Sequence, residues 1–185
     1  MQTTDYLNEV ITELSHTTAQ IANEDAERLV NHISEAKKVF TAGAGRSGFM
    51  AKSFVMRLMH MGLDSYVVGE TVTANFEEGD ILIVGSGSGE TKGLISMVEK
   101  AKSIGGTVAA ITTAPQSTIG KLADITVKLP GAPKDQTQSE YKTIQPMGSL
   151  FEQTLLLFYD AMILRIMEKK GLNSYTMYGK HANLE

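Results

Sequence analysis

The chain has 185 residues, with 17 Lys and Arg against 21 Asp and Glu and a formal net charge of −4. A chain this long buries roughly 70% of its unfolded surface, which suits one self-sufficient domain over residues 1–185, and the acidic balance excludes nucleic acid held by counterion release. The absence of cysteine excludes disulfides, thiolate nucleophiles, zinc ribbons and iron–sulfur clusters.

The first residues lack the basic and apolar regions of a secretory signal, and Asp5, Glu9 and Glu13 do not suit a transit peptide, so a cytoplasmic location is expected. Residues 1–36 read as N-terminal helices: Leu7, Val10, Ile11, Leu14 and Ile21 recur at helical spacing, and Leu29, Val30 and Ile33 repeat it. Residues 37–129 then alternate. Short apolar runs at 39–42, 66–68, 81–84, 108–111 and 125–127 read as strands, separated by helical pieces that include 91–104. Residues 130–145 carry no periodicity and predict a long loop. Residues 146–170 hold an apolar helix, and 171–185 form a polar tail whose default expectation is disorder. Glu152, Gln153, Asp160 and Arg165 make that helix too polar for a bilayer span, so no membrane partner is expected. Apolar residues from Leu155 to Ile166 run nearly round it, which favours an intersubunit bundle over a helix buried within one subunit.

Five short buried strands separated by helices predict an α/β fold: a doubly wound, Rossmann-like, three-layer α-β-α sandwich around a five-stranded parallel sheet. Ligands of such sheets collect outside the carboxyl ends of the strands. Two loops there draw attention. Gly43-Ala44-Gly45-Arg46-Ser47-Gly48 matches a dinucleotide fingerprint, with Glu70 as the candidate ribose-binding acid, so a nicotinamide oxidoreductase using Gly43, Gly45, Gly48 and Glu70 is one reading. Gly85-Ser86-Gly87-Ser88-Gly89-Glu90-Thr91 opens the next helix, and its three hydroxyls around glycines suit a phosphate monoester, with Arg46 or Lys92 adding charge. The competing reading makes Ser88 or Thr91 a plain helix cap. Two such loops together favour a phosphate cradle.

No Walker A lysine, nucleophile elbow or metal-ligand spacing is present, and His16, His32, His60 and His181 are scattered, so no metal site is expected. Ser149-Leu150-Phe151-Glu152 has capping-box spacing, which competes with Glu152 as a general base at the pocket rim. His181 lies in the tail, where chain reversal or a neighbouring subunit would be needed to bring it to the site.

The segments at 43–48, 68–71, 85–91 and 145–152, with His181-Ala182-Asn183-Leu184-Glu185 at the end, resemble the 6-phospho-3-hexuloisomerases of the sugar isomerase (SIS) domain superfamily over essentially the whole chain. The resemblance implies a tetramer that interconverts D-arabino-hex-3-ulose 6-phosphate and D-fructose 6-phosphate without a cofactor, in the ribulose monophosphate pathway of formaldehyde fixation. Carried over by position, it makes Glu152 the base and His181 a second acid/base or ring-opening group. Ser47 and the Ser86, Gly87, Ser88, Gly89, Glu90 and Thr91 loop become the phosphate ligands, with Arg46 beside them. A noncatalytic sugar-phosphate-binding module of the same superfamily is the alternative.

Overall fold

The computed structural model describes residues 1–132 and 142–184. Two helices, α1 (Thr3–Thr18) and α2 (Asn23–Glu35), precede β1 (Val39–Gly43), α3 (Arg46–His60), β2 (Ser65–Val67) and β3 (Ile81–Gly85). Next come α4 (Lys92–Ile104), β4 (Thr107–Thr112), α5 (Thr118–Leu122), β5 (Ile125–Lys128), α6 (Ser149–Lys170) and α7 (Ser174–Tyr178). The five strands form one sheet in the order β2-β1-β3-β4-β5, every described pairing parallel. The expected three layers follow from how the strand residues alternate.

Val39, Ile81, Ile83, Ala109, Ile111, Ile125 and Val127 face one layer, where α2, α3 and α6 bury Leu29, Phe54, Leu155 and Tyr159 against them. Phe40, Leu82, Val84, Val108 and Ala110 face the other, against Leu94 and Val98 of α4 and Ile119 of α5. A central strand so enclosed has to be apolar on both faces, which is why Ile81–Gly85 is buried throughout. The rings of Phe54 and Tyr159 stack with centroids 4.3 Å apart, tying α3 to α6. Such a pair adds about 0.5–1.5 kcal/mol beyond its burial.

The order reverses between β1 and β3. From there β2 lies outward on one side and β4 and β5 on the other, so this is the switch point where the chain leaves a crevice at the carboxyl ends of the strands. The two glycine loops leave β1 and β3 and therefore border that crevice from both sides.

Strand ends differ from expectation by a residue or so, but the tail differs in kind. Residues 174–178 form the short helix α7, started by Asn173 and Thr176, whose side chains each accept the other's backbone N–H. A local capping box thus overcomes the polar composition. Residues 130–132 and 142–145 are irregular as expected, residues 146–148 form a turn where the helix was expected to begin, and the remainder of that predicted loop lies outside the described residues.

Candidate active site

The amino ends of α3, α4 and α6 converge on one cleft of about 270 Å³, lined by Ala44, Ser47, Ser86, Gly87, Ser88, Thr91, Leu94, Ala132, Gly148, Phe151 and Glu152. Unpaired N–H groups and partial positive charge at three helix starts favour an anion there. The two sequence-distant serine loops are brought together as predicted.

Close backbone approach shapes the first loop. A Cβ on Gly48 would sit 2.7 Å from the Gly43 carbonyl oxygen, so only glycine lets α3 begin directly over the end of β1. The second loop is clamped from beneath: the Gly87 carbonyl accepts hydrogen bonds from the Thr113 N–H at 3.1 Å, the Thr112 hydroxyl at 3.1 Å and the Thr113 hydroxyl at 2.8 Å. Gly89 has φ +63°, and a Cβ there would lie 1.9 Å from Ser117 Oγ.

The hydroxyls keep their donating capacity. Ser86 Oγ accepts from the Gly89 N–H and Ser88 Oγ from the Glu90 N–H, leaving each O–H hydrogen to donate. Thr91 holds the N-cap position of α4 without a side-chain cap bond, so the reading of this hydroxyl as a cap fails. Arg46 sits at the rim.

Glu90 is placed differently from the expected phosphate ligand. Its carboxylate accepts the Thr118 N–H at 2.7 Å and the Thr118 hydroxyl at 2.9 Å, bracing the loop against the start of α5. Those two bonds, the backbone one foremost, hold its carboxyl below the usual glutamate range. Gly89 also serves the loop's shape and does not line the cleft.

The capping box proposed for Ser149 and Glu152 does not form. A tight turn, in which the Ser149 N–H reaches the Pro146 carbonyl and Met147 adopts φ +58°, puts Gly148 at the N-cap, one residue earlier than the box requires. Glu152 therefore falls in the second half of the first turn, its N–H bonded to the Gly148 carbonyl at 3.0 Å. Its side chain is 9% exposed and turns to Arg46, whose Nε lies 2.8 Å from Oε2. A buried carboxylate thus forms the wall of the hydroxyl-lined cleft with one cation as partner.

His181 is not in this cleft. Its ring stacks on His60 at the far end of α3, with centroids 5.4 Å apart. With α3 15 residues long, its two ends are roughly 20 Å apart for a helical rise of ~1.5 Å per residue. Within one chain the two predicted catalytic groups are separate. Glu70, the acid of the dinucleotide reading, lies on the surface and pairs with Lys52 at 2.5 Å. Gly148, which sequence reasoning did not single out, lines the cleft beside Phe151 because α6 starts there. Among the described residues no three His, Asp or Glu side chains gather as a metal site, and no helix is long and apolar enough to cross a membrane.

Residues 32–157 match the family model of the SIS domain. The 3-hexulose-6-phosphate isomerase of Bacillus subtilis (strain 168) is 61% identical over 185 residues, the full length of both chains. The enzyme of the same name from Mycobacterium gastri is 39% identical over 182 residues, covering 98% of this chain and 91% of the relative. A solved structure from Methanococcus jannaschii, described as implying a molecular function of 3-hexulose-6-phosphate isomerase, superposes with a TM-score of 0.84 at 34% identity, covering 98% of this chain and 99% of the other.

Proposed function

Because this chain belongs to the SIS-domain family and stands among its 3-hexulose-6-phosphate isomerases, we propose that the cleft between the two glycine loops is where it works, with Glu152 as base. The protein is an isomerase that interconverts D-arabino-hex-3-ulose 6-phosphate and D-fructose 6-phosphate. The observation that carries the assignment of the site is the buried Glu152 carboxylate, freed from its own helix end, on the wall shared with Ser47, Ser86, Ser88 and Thr91.

In the proposed mechanism the substrate phosphate accepts hydrogen bonds from these hydroxyls and from the N–H groups at the start of α4. Anchoring the phosphate fixes the sugar chain so that its reacting carbons meet the carboxylate, with remote binding energy spent on orientation. Glu152 removes the proton from C2, the C–H electrons form the C2–C3 double bond, and the C3 carbonyl oxygen takes the negative charge. The resulting enediolate transfers its O2 proton to O3. The C2 carbonyl then forms as the proton held by Glu152 is delivered to C3. One carboxylate suffices, and such a base supplies about 100- to 10,000-fold. Arg46, paired with Glu152 at the rim, stabilises the negative oxygen as it develops.

We assign His181 as the second acid/base, acting on the sugar oxygens or on ring opening, and its distance from Glu152 within one chain supports a role in the site of a neighbouring subunit. The apolar surface supports that assembly: Tyr6, Leu7 and Ile11 of α1, Met56 of α3 and Leu164 of α6 are all more than half exposed. The chain then works as one unit of a homo-oligomer, a tetramer in the cytoplasm, with no cofactor.

Crystals soaked in fructose 6-phosphate test the site. The phosphate should lie on the Ser86–Thr91 loop with the sugar carbons towards Glu152; a phosphate bound elsewhere overturns the assignment.

A further inference from the structure

His60 takes no part in the mechanism above, yet it is 5% exposed and is the residue on which the exposed tail histidine rests. Arg57 Nη1 lies 3.2 Å from His60 Nδ1. A guanidinium can only donate, so Nδ1 accepts and the single ring proton of His60 sits on Nε2. Protonating Nδ1 would break that bond and place a second cation beside Arg57. Burial first, then the charges of Arg57 and His181, push the His60 pKa below the ordinary histidine range. The ring is thus a neutral plate, buried and held by Arg57.

His181 is oriented against that plate. The two rings lie 23° from parallel, and the Tyr178 ring is 6.3 Å from His181 on the same groove, with Asp160 of α6 also lining it. His181 Nδ1 is 2.8 Å from the Ala182 carbonyl oxygen. Since that oxygen only accepts, Nδ1 carries the proton and Nε2 is the atom left to exchange one with substrate.

We infer that His60 is a positioning residue for the isomerisation: anchored by Arg57, its ring face holds the His181 imidazole in the plane that presents Nε2 to the reacting sugar. This rests on the reading of His181 as the second acid/base. A neutral face accepts His181 in both protonation states, whereas a charged one would repel the imidazolium formed during turnover. Orientation is the quantity at stake, because a misplaced catalytic group loses up to about 100-fold in rate without altering substrate affinity.

Steady-state kinetics on full-length variants test it. His60→Phe keeps the flat ring and His60→Leu keeps apolar bulk without it. The leucine variant should lose about 10- to 100-fold in kcat with KM nearly unchanged, while the phenylalanine variant stays within a few fold of the wild type. His181→Gln should be impaired, and His60→Leu/His181→Gln should be no slower than His181→Gln alone. Equal kcat for the phenylalanine and leucine variants, or losses that multiply in the double variant, overturn the positioning role. Wild-type kcat in His181→Gln overturns the reading of His181 itself and the inference with it. Should His60→Leu fail to fold, His60→Asn takes its place, with the same outcomes deciding.

Discussion

Arg46 Nε and Glu152 Oε2 lie 2.8 Å apart, joining the first residue of α3 to the first turn of α6 across the mouth of the cleft. This contact exists because α6 starts at Ser149 and because Phe54 stacked on Tyr159 fixes α3 against α6. Its two members respond differently to substitution.

Glu152→Gln keeps the shape of the side chain and removes the base. Turnover of 3-hexulose 6-phosphate, followed by NMR, should fall at least about 100-fold, while fructose 6-phosphate still binds and the melting temperature changes little. Near-normal turnover would remove Glu152 from its role.

Arg46→Gln should act on affinity as well as on rate. The guanidinium is 57% exposed, so water screens the pair and its loss should hardly alter thermal stability. A lost charged hydrogen bond to the phosphosugar raises KM by about tenfold or more. If kcat alone fell, Arg46 would be acting on the reacting oxygen or on Glu152 and not on substrate binding.

Gly89→Ala should disable the phosphate loop through its backbone. The residue has φ +63°, and the added methyl would meet Ser117 Oγ at 1.9 Å. A cost of about 2–4 kcal/mol follows from strain and overlap together. Denaturant melts should show it, and the double variant Gly89→Ala/Ser117→Gly should recover part of it by removing the overlap while the strain stays.

A site shared between subunits predicts complementation. Glu152→Gln and His181→Gln, each impaired alone, should regain activity when unfolded and refolded together, because mixed assemblies contain sites with both groups intact. Light scattering showing a monomer at micromolar concentration, or no recovery on mixing, would sink the shared site.

Glu13 ties α1 to the segment leading into α6, accepting hydrogen bonds from the Thr143 hydroxyl at 2.6 Å, the Ile144 N–H at 2.8 Å and the Gln145 side chain at 2.9 Å. Burial raises its pKa, but the three bonds outweigh it and the net shift is downward. A depressed carboxylate stabilises the fold above its unfolded pKa and loses that contribution as pH falls through the folded value. The difference in melting temperature between the wild type and Glu13→Gln should therefore be full at pH 7 and shrink between about pH 5 and pH 3.

Much of the architecture was legible because buried strands admit little besides apolar residues, and glycines punctuate their ends. Gly43 and Gly85 close β1 and β3, and the two loops meet at the switch point as their spacing implied. What escaped depended on a single turn or on tertiary partners. The motif at Ser149 and Glu152 reads as a capping box until the left-handed Met147 shifts the helix start by one residue. Glu90 looks like part of the cradle, but its partner Thr118 lies 28 residues on, beyond the reach of any local pattern. His60 ends a helix, where no periodicity distinguishes it; only Arg57 and the returning tail give it meaning.

The three hydrogen bonds received by the Gly87 carbonyl bear on how the enzyme meets its substrate. A receptor assembled before the guest arrives has little disorder left to surrender, so capture should be governed by encounter and charge and not by a slow rearrangement. Stopped-flow traces of binding should then show no lag.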